Sequence, residues 1–583
     1  MKLCCFILAL FSALPAIAAS DDARWWPTQV FPAAVVRVSN PGPRDEQMFL
    51  TSLAGLAAQA VNESHSRELV WVDDGNPSLK AWYDTIAKHH PALKTLTASN
   101  AWEVSDRYAR AGIVKGYILY HIENAGFDAP ESQLNVSVNV ATSLAGILGA
   151  ALISEELQPA AQAHGLKLLF DARDKSAAWC FQHYRAQFTR RLLCEQDPRR
   201  PHARDLAIAQ RAFTIFGPDE PLATAMQWLE PLSPILGWNG GDEFANTDLS
   251  TRWGDIQTAT DWSINLPVLM AGSEAGPPAR LPALDPAQIP WKDRRSGIAF
   301  VDTDGDNVQW ITENFFIHND DYWSNPHRGQ IPFGWSGCFA QMAQLCPAAI
   351  AYAAQTRTTN DWFIEWGGGY YYPDRFAMER PNRWPLLAEH ARRTWAFMKR
   401  TNCRTLGFNF QHCDSPDALH ALQTIAAQTD GLLAILMFQY DCYEAGAGKV
   451  YWVKDRRGLD VPCITARYSI WEHSNNRPRA GAPAKVARDI QQAPAQPRYD
   501  WALAHAWSYF KHATNEAGQD LPQPDAPAHG GERGYTPVLW CAAALPPAIR
   551  VIPLEELPWR LRMTHNPAQT TQLAHDFLQS PTK

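Results

Sequence analysis

The chain has 583 residues, 46% of them hydrophobic and 19% charged, with a net charge of −8. At about 100–200 residues per domain, this length calls for three or four domains. No Lys/Arg-rich run of the kind that tracks phosphates is present, which argues against a nucleic-acid partner. No stretch approaches the about 20 apolar residues that a membrane helix needs.

At the amino end, Lys2 precedes the apolar run Leu3–Ala13 and the small-residue triplet Ala16-Ile17-Ala18. That pattern predicts a signal peptide (residues 1–18) cleaved near Ala18, and hence a secreted or periplasmic protein. Cys4 and Cys5 would leave with it. The nine remaining cysteines form no CxxC pair, which excludes a zinc ribbon. Export permits disulfides such as Cys338/Cys346 or Cys180/Cys194, and small buried thiols are the other reading.

From Ala33 onward, β-like runs alternate with helical patterns: AVVRVSN, a helix over about 45–61, ELVWVDD, and a helix over about 79–89. The rhythm resumes with GYILYH, a helical stretch over 141–157 and LKLLFDAR, then with FTIFG, MQWLE and SPILGW. Such alternation predicts βαβ units and parallel sheets. It divides the mature chain into small α/β domains at 19–110, 111–175 and 176–272. No Walker-type or GxGxxG loop is present, so no nucleotide cofactor is expected.

The proline-rich stretch 273–295 is expected to be a linker across which few contacts pass. A new domain, 296–583, opens with a buried strand Gly297–Val301, an acidic turn, and a helix from about Asn307, with Asp306 or Asn307 as its N-cap. Further strands (RTLGFNF, LLAILMFQY, VPCITAR, WALAHAW) and helices (384–400, 416–428) suggest a TIM-barrel-like (β/α) domain. PVLWCAAAL and IRVIPLEELPWRLR would finish its sheet with a last strand and helix. Two stretches, 473–497 and 513–534, have the composition of exposed insertions.

Two constellations carry chemistry. Asp302, Asp304 and Asp306 follow an apolar strand directly, at the carboxyl end where parallel sheets place their sites. Carboxylates so close repel one another, and a proton-sharing pair suited to acid/base catalysis is one outcome. A calcium loop competes, although an EF-hand places Gly sixth and Gly305 is fourth. A capped helix start with surface acids is the structural alternative.

The second constellation is Gly367-Gly368-Gly369-Tyr370-Tyr371-Tyr372-Pro373-Asp374, preceded by Trp362, Glu365 and Trp366. Glycines let the backbone approach a ligand closely, and the tyrosines would form an aromatic wall. With 24 Trp, 17 Tyr and 24 Phe, the chain is rich in the flat rings that suit sugar faces. A tight turn with core aromatics is the alternative. Asp441 and Glu444, after LLAILMFQY, could supply a second carboxylate or be solvated loop acids. His505 fits a site residue or a core histidine equally. No GxSxG elbow appears, which argues against a serine hydrolase.

Gly367, Gly369, Tyr370, Tyr372 and Pro373 match the motif of the GxGYxYP glycoside hydrolases, and GDNVQW (305–310) resembles that family's acidic motif. KGYILY (115–120), NVATSLAG (139–146), Thr359-Asn360-Asp361 and His505-Ala506-Trp507-Ser508 extend the resemblance over nearly the whole mature chain. It implies small N-terminal domains, a barrel-like C-terminal domain and export. The chain departs from the pattern at Glu365-Trp366, where small residues are expected.

Together these readings predict a glycoside hydrolase acting on an oligo- or polysaccharide without a cofactor. The catalytic candidates are Asp302, Asp304, Asp306, Glu365 and Asp441. The substrate-binding candidates are Asn307, Trp310, Gly367, Gly369, Tyr370, Tyr372, Asp374, His505 and Trp507. A non-catalytic glycan-binding protein and a metal-dependent deacetylase or lyase are the alternatives.

Overall fold

A computed structural model describes residues 23–39, 42–217, 221–274, 279–474, 476–493, 497–511 and 531–579. The signal-peptide reading and residues 513–530 of the second expected insertion lie outside them. No described helix is long and apolar enough to cross a membrane.

Three small parallel sheets precede a large one. The first has the order β2-β1-β3, from β1 (Ala34–Ser39), β2 (Glu68–Asp73) and β3 (Lys94–Ala98). The second has the order β5-β4-β6, from β4 (Gly116–Tyr120), β5 (Ala150–Ser154) and β6 (Leu168–Asp171). The third has the order β10-β9-β7-β8, from β7 (Leu193–Glu195), β8 (Phe213–Ile215), β9 (Pro234–Gly237) and β10 (Ile256–Thr258). Every pairing in these sheets is parallel. Parallel neighbours need crossovers, which the intervening helices supply.

The fourth sheet contains β11 (Ser296–Asp302), β12 (Phe333–Gly337), β13 (Asp361–Glu365), β14 (Thr405–Phe410), β15 (Ala434–Gln439), β16 (Val450–Lys454), β17 (Asp460–Thr465), β18 (Tyr468–Ile470), β19 (Ala480–Gly481), β20 (Tyr499–Ala504) and β21 (Ile549–Val551). Its order is β16-β17-β15-β14-β13-β12-β11-β20-β18-β19, with β21 beside β11. All pairings but β16–β17 are parallel, and the sheet curls into a half-barrel. The strand order is an open path, and the ring closure of a TIM barrel is not among its pairings. The chain is thus a mixed α/β protein with a half-barrel at its carboxyl side.

Several local expectations are corrected. The helix expected over 141–157 runs Ser137–Leu148, ends at left-handed Gly149, and gives way to the fully buried strand β5. A short apolar run such as AALIS carries no period that separates strand from helix. PVLWCAAAL, expected as the last strand, is helical up to Ala543 (Tyr535–Ala543). The stretch 473–497 is no exposed insertion: it holds β19 and the helix Pro483–Gln492, with Ala482, Val486 and Ile490 in the core. Strands β12 and β13 went unpredicted because their sequences, FGWSG and DWFIE, carry Gly and Asp that strands disfavour; burial on both faces holds them.

The proline-rich stretch is tied to the half-barrel domain. Leu281 N donates to Thr401 O at 2.7 Å, Leu284 N to Glu555 Oε2 at 2.6 Å, and Arg560 Nη2 to Pro290 O at 3.0 Å. All nine cysteines among the described residues are free thiols, so neither Cys338/Cys346 nor Cys180/Cys194 is bridged. Seven tryptophans, from Trp25 to Trp559, are among the largest fully buried side chains, so much of the unusual Trp content is core.

Burial also leaves acids whose ionisation opposes folding. It pushes the carboxyls of Glu195, Asp205 and Glu555 up to about 7 and that of Glu365 up to about 8. A raised folded-state value gives stability that is complete below the unfolded value and lost as pH rises through the folded one. Burial pushes His202 down to about 4, and His390 and His505 down to about 3, which has the opposite sign but acts only below the ordinary histidine value. Between pH 6.5 and 8 the acids act alone, each at up to about 1.4 kcal/mol per pH unit. The thermal midpoint should fall over that interval. A flat or rising midpoint would show that these carboxyls are solvated or neutralised.

Candidate functional site

The acidic turn follows β11, whose residues from Gly297 to Asp302 are all buried. Asp302 is directed across the sheet: its Oδ1 accepts from Ser336 N at 2.6 Å, its Oδ2 has no hydrogen-bond partner among the described residues, and burial holds its carboxyl well above the usual range. It underpins the turn and does not line the cavity described below. Asp304 takes left-handed backbone (φ 66°), which aims the loop back over the strand ends. Its carboxylate accepts from Trp507 Nε1 at 2.7 Å and from the Thr303 hydroxyl. Gly305 is required by packing, since a Cβ there would lie 2.5 Å from Gly337 N.

Asp306 is half-buried, and no side chain among the described residues donates to it. Burial, and next the charge of Asp304, holds its carboxyl well above the usual range. Asn307 is the N-cap, with Oδ1 accepting from Trp310 N at 3.2 Å. The helix it caps is a single turn, Val308–Trp310, continuing as the π-helix Ile311–Phe315.

The three-glycine loop follows β13. Gly367, Gly368 and Gly369 have φ values of 66°, 77° and 145°, which L-residues adopt at a cost. The close approach they permit is to the protein itself. A Cβ on Gly369 would lie 2.2 Å from Ile256 Cγ2, and Tyr370 N donates to Gln257 O at 2.9 Å, so the loop adds to the edge of the third small sheet at β10. Tyr371 and Tyr372 are buried behind it. Tyr370 reaches forward, donating its hydroxyl to Glu243 Oε1 at 2.6 Å.

Glu243 opens the helix Glu243–Trp253, whose N-cap Asp242 accepts from Ala245 N at 2.9 Å. A carboxylate at a helix N-terminus is favoured by the helix dipole. Burial nevertheless raises its pKa, the Tyr370 bond lowers it, and Asp304 raises it again.

These groups meet in a cavity of about 360 Å³ between the third small sheet and the carboxyl ends of the half-barrel strands. Four carboxylates line it: Glu243, Asp261, Asp304 and Asp306. Asn307, Gln309 and Asn409 add amides, and Trp238, Trp366, Tyr370, Tyr443 and Trp507 add rings. Trp238 stacks on Tyr370 at 6.1 Å, and Trp507 leans on Trp310 at 4.9 Å. Gln309 Nε2 donates to Asp261 Oδ1 at 2.9 Å, and its Oε1 accepts from Trp262 N at 2.6 Å.

Of the residues singled out in the sequence, Asp304, Asp306, Asn307, Tyr370, His505 and Trp507 share this lining. Gly367 and Gly369 shape the loop, and Trp310 packs behind Trp507. Tyr372 is fully buried, and Asp374 caps a turn by accepting from Gln411 N at 3.1 Å and His412 N at 2.8 Å. Glu365 lies beneath the site, its two oxygens accepting from Ala340 N at 2.8 Å and Gly368 N at 2.9 Å. Asp441 is exposed and outside the lining, and Glu444 is buried outside it. His505 shares a 3.0 Å hydrogen bond, through Nδ1, with Ser508 Oγ, and stacks against Trp471. Among the described residues, no three His, Cys, Asp or Glu side chains group as metal ligands.

Glu243, Asp261, Trp238 and Trp262 were not anticipated. SPILGW followed by Asn239-Gly240-Gly241-Asp242-Glu243 repeats the signal used at Asp302–Asp306, a strand running straight into glycine and acid, and could have flagged Glu243.

The GxGYxYP putative glycoside hydrolase C-terminal domain matches residues 296–523, the GxGYxYP_N second domain matches 114–188, and the GxGYxYP third domain matches 190–271. A crystal structure of a putative hydrolase from Bacteroides thetaiotaomicron VPI-5482 superposes with a TM-score of 0.73 at 20% identity, over 91% of this chain and 95% of that one. A domain of unknown function from Bordetella bronchiseptica, at 10% identity over 74% of this chain and 94% of that one, has a TM-score of 0.13 and carries no argument. No curated protein matches the chain.

Proposed function

The chain belongs to the GxGYxYP putative glycoside hydrolase family, and from that premise we propose that the cavity hydrolyses an O-glycosidic bond of a glycan. The observation that carries this reading is that Asp306, on the half-barrel, and Glu243, on the third small domain, reach one aromatic-walled cavity from different elements. Paired carboxylates flanking a scissile bond are what glycoside hydrolysis uses.

The environments divide the roles. Asp306 is desolvated by burial, has no side-chain donor among the described residues and sits near Asp304, so it holds a proton that it can pass to the leaving oxygen. Glu243, bonded by Tyr370 at a helix N-terminus, is the carboxylate that attacks the anomeric carbon or takes a proton from the attacking water. Water is consumed: its hydroxyl ends on the anomeric carbon and its proton returns to the carboxylate pair. Asp304, fixed by Trp507 and Thr303, adds its charge to burial in raising the Asp306 carboxyl. Export, read from Lys2–Ala18, belongs to the same proposal and places the substrate outside the cytoplasm.

A panel of glycans and aryl glycosides tests it. Glu243→Gln keeps an acceptor for Tyr370 but removes the charge, so kcat should fall by about 10²–10⁴ at unchanged thermal midpoint. Wild-type protein that binds glycans and turns over none would overturn the hydrolase reading in favour of a binder.

A further inference from the structure

Among the described residues only two aromatic side chains are exposed, Phe127 at 60% and Trp262 at 48%. They come from different small domains, yet both lie against one side chain: the Arg200 guanidinium sits 3.5 Å from the Trp262 ring centroid and 5.1 Å from that of Phe127. Arg199 also lies against Phe127, at 4.7 Å, and donates to Gly126 O at 2.6 Å, which pins the loop carrying the ring. Trp262 is pinned through its backbone bond to Gln309, a cavity residue. Rings that are both exposed and held in place are pre-organised for a flat partner, and sugar faces are such partners.

Trp262 lines the cavity; Phe127 lies beyond it. A cavity of about 360 Å³ is at the small end of ligand sites, so a longer chain must leave it, and Trp262, which lines it, shares the Arg200 guanidinium with the second ring. The lining has four carboxylates and, among the described residues, no Lys or Arg, and the Arg200 guanidinium beside it is already paired with Asp261 at 3.6 Å, so a uronate or sulfated sugar in the cavity would add negative charge to carboxylates that outnumber their cations.

Resting on the hydrolase reading above, we propose that the substrate is an uncharged glycan chain, one end of which occupies the carboxylate cavity while its next units cross Trp262 and lie on Phe127. Arg200 is a positioning residue that holds the two rings in line.

Cello-, manno-, xylo- and malto-oligosaccharides of two and six units, with a hexameric oligogalacturonate as the acidic counterpart, provide the test. For the series that is cleaved, kcat/KM of the hexamer should exceed that of the dimer by about tenfold or more, equivalent to about 1.4 kcal/mol. Phe127→Ala and Trp262→Ala should each collapse that ratio towards one through KM, and the oligogalacturonate should be the poorest substrate. Phe127→Ala removes an exposed ring, so its folding is the safer of the two. An unchanged hexamer-to-dimer ratio in Phe127→Ala, or preference for the oligogalacturonate, overturns the proposal and leaves the hydrolase reading intact. If no probe is cleaved, the hydrolase reading fails, and calorimetric titration decides the platform by itself. Tenfold weaker hexamer binding by Phe127→Ala upholds it; equal binding or none overturns it.

Discussion

Asp306→Asn is expected to lower kcat by about 10²–10⁴ while substrate affinity barely changes. Asparagine keeps the size of the side chain and loses the proton. Asp306 makes no side-chain hydrogen bond that the fold depends on, so the thermal midpoint should stay close to that of the wild type. Asp304→Asn makes a different prediction. It removes the negative charge that, after burial, does most to raise the Asp306 carboxyl, so the Asp306 value should fall. Activity on the alkaline side is lost when Asp306 deprotonates, and that limb of the kcat/KM profile should move to lower pH. The acid limb is set by protonation of Glu243, whose value is also raised by Asp304 after burial, and it too should move down. A profile from Asp304→Asn with both limbs in place would mean that Asp304 does not sense the other two, and the assignment of roles would fail.

Gly369→Ala should be the most destabilising single methyl in the molecule's motif. Its φ of 145° lies in a region closed to L-residues, and the added Cβ would stand 2.2 Å from Ile256 Cγ2 and 2.7 Å from Gln341 Nε2. Strained backbone and overpacking together cost about 2–6 kcal/mol. The loss would appear twice, because the loop both joins the third small sheet to the half-barrel and carries Tyr370 to Glu243. A lowered thermal midpoint with reduced activity in the surviving folded fraction is the expected result. A midpoint within about 2 °C of the wild type would show that the loop yields and that the joint is not built on this glycine.

The alternation of apolar runs and helical patterns was legible as a rhythm, because βαβ crossovers leave a period and a punctuation in the chain, although β5, β12 and β13 were not separable within it. It placed Asp302–Asp306 at a strand's carboxyl end and Gly367–Tyr372 in a tight loop without any knowledge of their neighbours. The motif's own glycines and tyrosines were legible as a group, but their purpose was not. Glycine signals that a backbone must come close to something, and only the fold shows that the something is Ile256 and Gln257.

What the sequence by itself determined is therefore the succession of small parallel α/β sheets ahead of a larger one, and the acidic turn and tyrosine loop that line one side of the cavity. The tertiary structure alone decided the other side. Glu243 and Asp304 are 61 residues apart in number and follow strands of different sheets, β9 and β11, and no periodicity links them. Their meeting depends on how the three-glycine loop docks on β10, a contact between surfaces that each unit specifies only in part. The same holds for Glu365, which chain position made a catalytic candidate and which the fold commits to Ala340 N and Gly368 N. A carboxylate at a strand end can serve a substrate or a backbone, and which of the two it serves is set by the donors that packing brings within about 3 Å of it.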